Sequence, residues 1–243
     1  MRIRVRFAKV GKVRWTSHRD LARIWERVLR RTALPVAYSQ GFSPHPKLHF
    51  GLALSTGHES VAEYLDIDLD DDAPGCPDPA SFGELADLLT AALPVGVTVS
   101  AVGEIATSTP SLQQAVESCS WEIEIRGTGP ASVAAAIGRV LGAAELITTR
   151  ERKGKPVTDD LRPYVLDLAV VGPTDAGTQI TAHLATQPRG LRVGELIAAL
   201  DPAWEEGRVR RTHQWTLIDG ARQEPLVVPA GATSTSHAQA RAS

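Results

Sequence analysis

Arg2-Ile3-Arg4-Val5-Arg6-Phe7, followed by Ser17-His18-Arg19-Asp20-Leu21-Ala22-Arg23-Ile24-Trp25-Glu26-Arg27-Val28-Leu29-Arg30-Arg31, decides how the chain begins to fold. In the first piece Ile3, Val5 and Phe7 share one face and Arg2, Arg4 and Arg6 the other, the period of a half-buried strand with a basic outer face. In the second piece the period becomes helical. Leu21, Ile24, Trp25, Val28 and Leu29 form an apolar stripe, and Arg19, Arg23, Arg27, Arg30 and Arg31 share the opposite side. Ser17 is placed to cap this helix, with Asp20 three residues on as a carboxylate version of the capping box. Pro35 closes the helical region.

Working outward, short strands are expected over Val36 to Tyr38, Lys47 to Leu54 and Val61 to Leu69. A helix follows from about Ser81 to Leu93, with Phe82, Leu85, Leu88 and Leu89 inward, and then a strand from Val95 to Ile105. The order then repeats. Trp121 to Ile125, a helix near Ser132 to Leu141, strands near Leu146 to Arg150, Tyr164 to Val171 and Gln179 to Leu184, a helix near Val193 to Leu200 and a strand from Val209 to Ile218 follow the same sequence. Helices covering one face of an antiparallel sheet, in a split strand-helix-strand order, make the ferredoxin-like arrangement. The expected fold class is therefore α+β, two ferredoxin-like modules in tandem, residues 1–108 and 112–222. Residues 223–243, mostly Ala, Ser, Thr, Gly and Gln, have little to bury and are expected to be a disordered tail.

Charge is unevenly spread. Met1 to Phe50 holds twelve Lys or Arg against Asp20 and Glu26, whereas Gly51 to Ser100 holds ten acidic residues and no Lys or Arg. The net charge of −2 hides this reversal. A concentrated basic face is what polyanion binding requires, because each neutralised phosphate releases counterions. The bland alternative is that the acidic block neutralises the basic one within the fold. No apolar run approaches a membrane span, and Arg alternates with apolar residues where a signal peptide would be continuously apolar, so a cytoplasmic protein is expected. Cys76 and Cys119 are the two cysteines, too few and too far apart for a disulfide framework, a zinc set or a three-cysteine iron-sulfur site.

Ser39-Gln40-Gly41-Phe42-Ser43-Pro44-His45-Pro46-Lys47-Leu48-His49-Phe50 contains more chemistry than a plain turn needs. Phe42 offers a stacking surface, as does Trp15, and His45, Lys47 and His49 can carry protons or hold phosphate. His45 and His49, four apart, would share a strand face, and with His58, Glu59 and Glu63 a metal site can be drawn. Pro44 and Pro46 forbid the helix on which that spacing serves best, and no metal is assigned. Lys153 and Lys155 read as solvated charge at a hairpin tip.

The Gly-Phe-Ser-Pro-His-Pro-Lys run, the Ser17-His18-Arg19-Asp20-Leu21 helix start, Gly51-Leu52-Ala53-Leu54 and Glu63-Tyr64-Leu65-Asp66 together resemble a bacterial family of radical-SAM-associated proteins of undefined activity. The resemblance covers Met1 to about Leu69. It implies a role beside a radical SAM protein, with any iron-sulfur cluster and S-adenosylmethionine in that partner and no cofactor in this chain. A second likeness, architectural rather than motif-level, is to tandem ferredoxin-like RNA-processing proteins of the CRISPR repeat-cleaving kind. It implies His18 as an acid or base, with Tyr38 or Lys47 nearby, for metal-free RNA cleavage.

The reading that joins these observations is a non-catalytic accessory protein. It binds RNA, tRNA or another structured RNA, through Arg19, Arg23, Arg27, Arg30, Arg31, Phe42, His45 and Lys47, and presents it to a radical SAM enzyme. Two alternatives stand beside it: a module docking its arginine helix on an acidic partner surface, and an endoribonuclease using His18. The plain reading of His18 is a side chain bonded to nearby backbone at a helix start.

Overall fold

A computed structural model describes residues 1–152 and 154–226. The chain divides into two compact units, Met1–Ala115 with the segment from Ile218 on, and Val116–Leu217.

The first unit follows the opening sequence pattern closely. β1 (Arg2–Lys9) leads to α1 (His18–Arg31), β2 (Leu48–Phe50), β3 (Glu59–Asp68), α2 (Phe82–Ala92) and β4 (Val97–Ile105). β1 lies between β3 and β4, and β2 adds to the far side of β3, all antiparallel. Val5 faces Leu65 on one side and Val102 on the other. Ile3, Val5 and Phe7 from β1 and Leu65 and Ile67 from β3 bury themselves with Leu21, Trp25, Val28 and Leu29 of α1 and Phe82, Leu85 and Leu89 of α2. Phe7 meets Trp25 edge to face, with centroids 5.1 Å apart. Hydrophobic burial at these positions is what holds the helices on one sheet face. Leu88, expected inward, is half exposed. One residue before Leu89, it lies about 100° round the helix, off the buried stripe.

Two expected strands shrink. Val36 to Tyr38 forms only single bridges, Val36 to Leu69 and Tyr38 to Pro46, because Pro35 and Pro46 supply no N–H to extend a ladder. Lys47 to Leu54 is ordered as strand only from Leu48 to Phe50, after which Gly51 donates to the Tyr64 carbonyl and the pairing with β3 stops.

α3 (Leu112–Ala115) closes the first unit, burying Leu112 against Ala62 and Tyr64. This packing puts the division at Ala115, beyond the expected 108–112 joint. The second unit runs β5 (Val116–Arg126), α4 (Pro130–Gly142), β6 (Ile147–Arg152), β7 (Lys155–Asp160), β8 (Val165–Pro173), β9 (Gly177–Ala185), α5 (Val193–Leu200) and β10 (Glu206–Ile218). β5 pairs with β9 and β10, and β8 adds outside β9, again antiparallel. β6 and β7 form a separate hairpin between α4 and β8. Lys155 lies exposed on it, and Lys153 is outside the described residues. Ile123, Ile125, Ile180, Leu184 and Val209 are buried, as are Val133, Ile137, Leu196 and Leu200 of the helices.

Part of the expected tail is ordered. β11 (Ala221–Gln223) follows β10, and then Glu224 accepts from Arg6, the Pro225 carbonyl accepts from Arg4, and Leu226 packs on the Ala62–Tyr64–Leu112 cluster. Paired arginines give these residues something to bind, which composition alone does not show. Residues 227–243 lie outside the described residues.

Candidate nucleic-acid interface

The arginines of β1 and those of α1 have different fates. On the sheet face opposite the helices, Arg4 is nearly inaccessible (3 % exposed) and makes a two-pronged pair with Asp66, at 2.7 and 2.8 Å, while its third nitrogen donates to the Pro225 carbonyl at 3.1 Å. Arg2 pairs in the same way with Asp68. Arg6 donates to Glu224 at 3.0 Å and to the Tyr64 hydroxyl at 3.2 Å, and Tyr64 donates in turn to Glu224 at 3.3 Å. The register makes this so: Arg2, Arg4 and Arg6 lie opposite Asp68, Asp66 and Tyr64. Burial pushes the Tyr64 hydroxyl pKa up, and the hydrogen bond to Asp68 raises that of Arg2. Burial lowers the Arg6 pKa, but Tyr64 and Glu224 outweigh it and the net direction is up. The basic strand therefore does not join the arginine helix in one polyanion surface. Its charge is spent internally, on carboxylates of the acidic segment and on Glu224.

α1 keeps its charge outside. Ser17 caps it as expected, its Oγ accepting from the Asp20 backbone N–H at 3.1 Å and donating to the Asp20 carboxylate at 2.7 Å. That second bond, helped by Arg23 and Arg19, lowers the Asp20 pKa. Arg23 pairs with Asp20 at 3.2 Å, both side chains more than half exposed, an arrangement of little energetic weight. Arg31 donates to the Ala92 carbonyl at the end of α2. Arg19, Arg27 and Arg30 are exposed and have no ion-pair partner among the described residues. Buried Leu21, Trp25, Val28 and Leu29 fix which way this stripe faces.

The loop between Tyr38 and Lys47 is closed at its base. Ser39 N–H donates to the His45 carbonyl at 2.9 Å, His45 N–H to Ser39 Oγ at 3.0 Å, and Lys47 N–H to the Ala37 carbonyl at 2.9 Å. Gly41 has φ +135°, which side chains rarely adopt, and beside it Phe42 is fully exposed. Tyr38, His45 and Lys47 are exposed as well. The loop's descending strand touches the helix start: His18 meets Phe50 edge to face, with centroids 5.2 Å apart. His45 and His49 do not share a strand face. His45 precedes β2, while His49 lies on the face of the β1 arginines and contacts Asp68 at 3.3 Å. Among the described residues no hydrogen bond joins His18 to Tyr38 or Lys47. Trp15 is exposed, with the Arg14 guanidinium 5.3 Å from its ring centroid. At Gly57, φ +92°, an added Cβ would stand 2.9 Å from that indole, so only glycine lets the chain pass there.

Of five buried polar residues, the sequence offers His58, Glu59 and Glu63 only as a metal set that is not assigned, and Lys9 and Ser60 not at all. Lys9 (1 % exposed), His58, Glu59, Ser60 and Glu63 are all buried. Lys9 Nζ donates to the Thr16 carbonyl at 2.8 Å, and Glu59 accepts from Gly11 N–H at 2.9 Å. The signal was available: Lys9 continues the Ile3, Val5, Phe7 period, and Glu63 that of Leu65 and Ile67, so each falls at a core-facing position. Among the described residues no group of three or more His, Cys, Asp or Glu is placed to hold a metal ion, and no helix is long and apolar enough to cross a membrane.

No curated protein matches the sequence. Among solved structures, the fold is similar to a chain in the crystal structure of a Cbf5-Nop10-Gar1 complex, at 11 % identity and a TM-score of 0.49 over 87 % of this chain and 48 % of that one. A chain in an H/ACA RNP bound to a substrate RNA containing 2'-deoxyuridine gives 12 % identity and 0.47 over 87 % and 47 %. The chain thus spans about half the length of either, and the likeness assigns no role to any residue. Residues 2–192 match a family described as "Uncharacterized protein conserved in bacteria" (DUF2344), and to that family the chain belongs.

Proposed function

We propose that the first unit is a non-catalytic RNA-binding module that holds a structured RNA, tRNA being the obvious class, through α1 and the Tyr38–Lys47 loop. The observation that carries this is the sorting of arginines. Those on β1 are matched to carboxylates or a tyrosine, whereas Arg19, Arg27 and Arg30 stand in water in a stripe that contributes nothing to the core. Arginine in this state suits phosphate, which its planar fork binds with two hydrogen bonds. Phe42, fully exposed, would stack on an unpaired base, and Lys47 and His45 would meet its phosphates. His18, packed on Phe50, ties the helix start to the loop's strand and serves position rather than acid-base chemistry in this reading.

The finer reading of the fold belongs to the same proposal. In each unit the first long strand lies between the third and the last, with the second on the outer edge of the third, the order expected of two ferredoxin-like modules in tandem. A radical SAM enzyme as the recipient of the RNA follows from the sequence resemblance alone. Docking on an acidic protein would use the same arginines, and full exposure of Phe42 suits that reading too. Purified protein titrated with tRNA at several salt concentrations tests the proposal. Affinity should fall steeply with salt, and a partner enriched from cells without nucleic acid would favour protein docking instead.

A further inference from the structure

The second unit has a ligand-sized cleft that the RNA reading leaves unused. α4 packs on β8 and β9, and on the other face of the sheet Glu122, Glu124, Gln179, Thr181 and His183 alternate with the buried residues. Glu122, Ile123, Glu124, Gln179, Arg208 and Arg210 line a cleft of about 290 Å³ there, just under the usual range for drug-sized ligands and of a size for a single base. Arg210 lies opposite Glu122 in the β10–β5 register, and the next pair on this face is His213 opposite Ser120. The His213 ring stacks on Trp215, with centroids 4.9 Å apart and planes within 10°. Trp215 Nε1 donates to Ser120 Oγ at 2.8 Å, which fixes the indole. The aromatic pair thus stands one register step along this face from a cleft lined by two carboxylates, an amide and two guanidiniums.

The two glutamates differ. Glu124 accepts from Thr174 Oγ1 at 2.7 Å and from Arg208 N–H at 3.3 Å, so both its oxygens belong to the wall. Glu122 has 41 % of its side chain exposed and stands 3.9 Å from an Arg210 nitrogen. A carboxylate accepts only and a guanidinium donates only. Side by side they complement an edge that presents N–H donors next to a carbonyl acceptor. Guanine has that edge, whereas adenine sets an acceptor against the carboxylate and a donor against the arginine.

We propose that this cleft takes an unpaired guanine base, seated beside the His213–Trp215 stack, with Arg210 donating to O6 and Glu122 accepting from N1–H and the 2-amino group. Such recognition of a splayed base by stacking and by its pairing edge is the usual means of reading single-stranded RNA. The site is independent of the arginine helix, and its test uses mononucleotides rather than RNA. Calorimetric titration of the full chain with GMP, IMP and AMP, which share the same phosphate, should rank them in that order, with GMP bound about tenfold or more tighter than AMP. Glu122→Gln should remove the GMP preference, and His213→Ala should weaken all three. Equal binding of GMP and AMP, or a preference that survives Glu122→Gln, overturns the inference. A preference retained in Arg19→Gln/Arg23→Gln/Arg27→Gln supports it whatever happens to RNA binding, and RNA binding without a GMP preference refutes this site alone.

Discussion

β1 and α1 carry arginine at similar density within the same thirty residues, yet only one set is available to a ligand. On β1 the period of two places each arginine directly across from a residue of β3, and Asp66, Asp68 and Tyr64 stand there. On α1 the period of 3.6 places them on the side away from the core, where no strand can supply a carboxylate. Charge counted along a sequence therefore does not measure charge offered to a partner; the secondary-structure period decides which basic residues the fold consumes.

The sharpest way to break this comparison is to unpair β1. Asp66→Asn leaves the Arg4 guanidinium, 3 % exposed, without its carboxylate, and removing one partner of a buried pair costs about 3–5 kcal/mol. Urea denaturation should show that loss, while RNA affinity of the folded fraction stays as in the parent. Reversing Arg19, Arg23 and Arg27 to Glu should do the opposite. RNA binding falls at least tenfold, while stability changes by about 0.5 kcal/mol per site or less, as is usual for surface substitutions. Comparable losses of stability in the two variants would erase the distinction.

Phe42→Ala should cost about 1–3 kcal/mol of affinity for RNA with an unpaired base, the usual worth of one stacked base, and nothing measurable for a blunt duplex. Thermal melting of this variant should match the parent, because the ring packs on nothing.

The smallest expected effect is on pH dependence. Burial raises the Asp68 pKa, but hydrogen bonds from Arg2 and His49 outweigh it, so the folded value lies below the ordinary 3.8. A depressed carboxylate contributes stability that is fully present above its unfolded pKa and lost as pH falls through the folded one. Urea midpoints of the parent should therefore drop below about pH 4 more steeply than those of Asp68→Asn. Identical acid limbs would show that the pair adds nothing.

Much of the first unit was legible in the sequence. The strand period of Arg2 to Phe7, the Ser17 cap and the apolar stripe of α1 are local signals, and each is realised. What was not legible depends on register. Nothing within Arg2 to Phe7 says that Asp66 and Asp68 will lie opposite, and nothing within Gln223 to Leu226 says that paired arginines will hold it. The stretches Val36 to Tyr38 and Lys47 to Leu54 alternate like strands, but Pro35 and Pro46 supply no N–H to extend the first ladder, and the second stops pairing after Gly51. Of the candidate site, the helical period placed the α1 arginines away from the apolar stripe, and they are exposed there. A shared face for His45 and His49 requires a strand that begins near His45, and β2 begins only at Leu48. The sequence did not single out Lys9, which continues the core-facing period of Ile3, Val5 and Phe7.

The central claim is that the α1 arginines, not the β1 arginines, meet phosphate. It is tested most directly by measuring tRNA affinity against salt for the parent and for Arg19→Gln/Arg23→Gln/Arg27→Gln. Each arginine withdrawn from a phosphate lowers the slope of log affinity on log salt by about 0.7–0.9, so the triple variant should lose about 2–3 from the slope. A slope that is the same in both proteins would contradict the account.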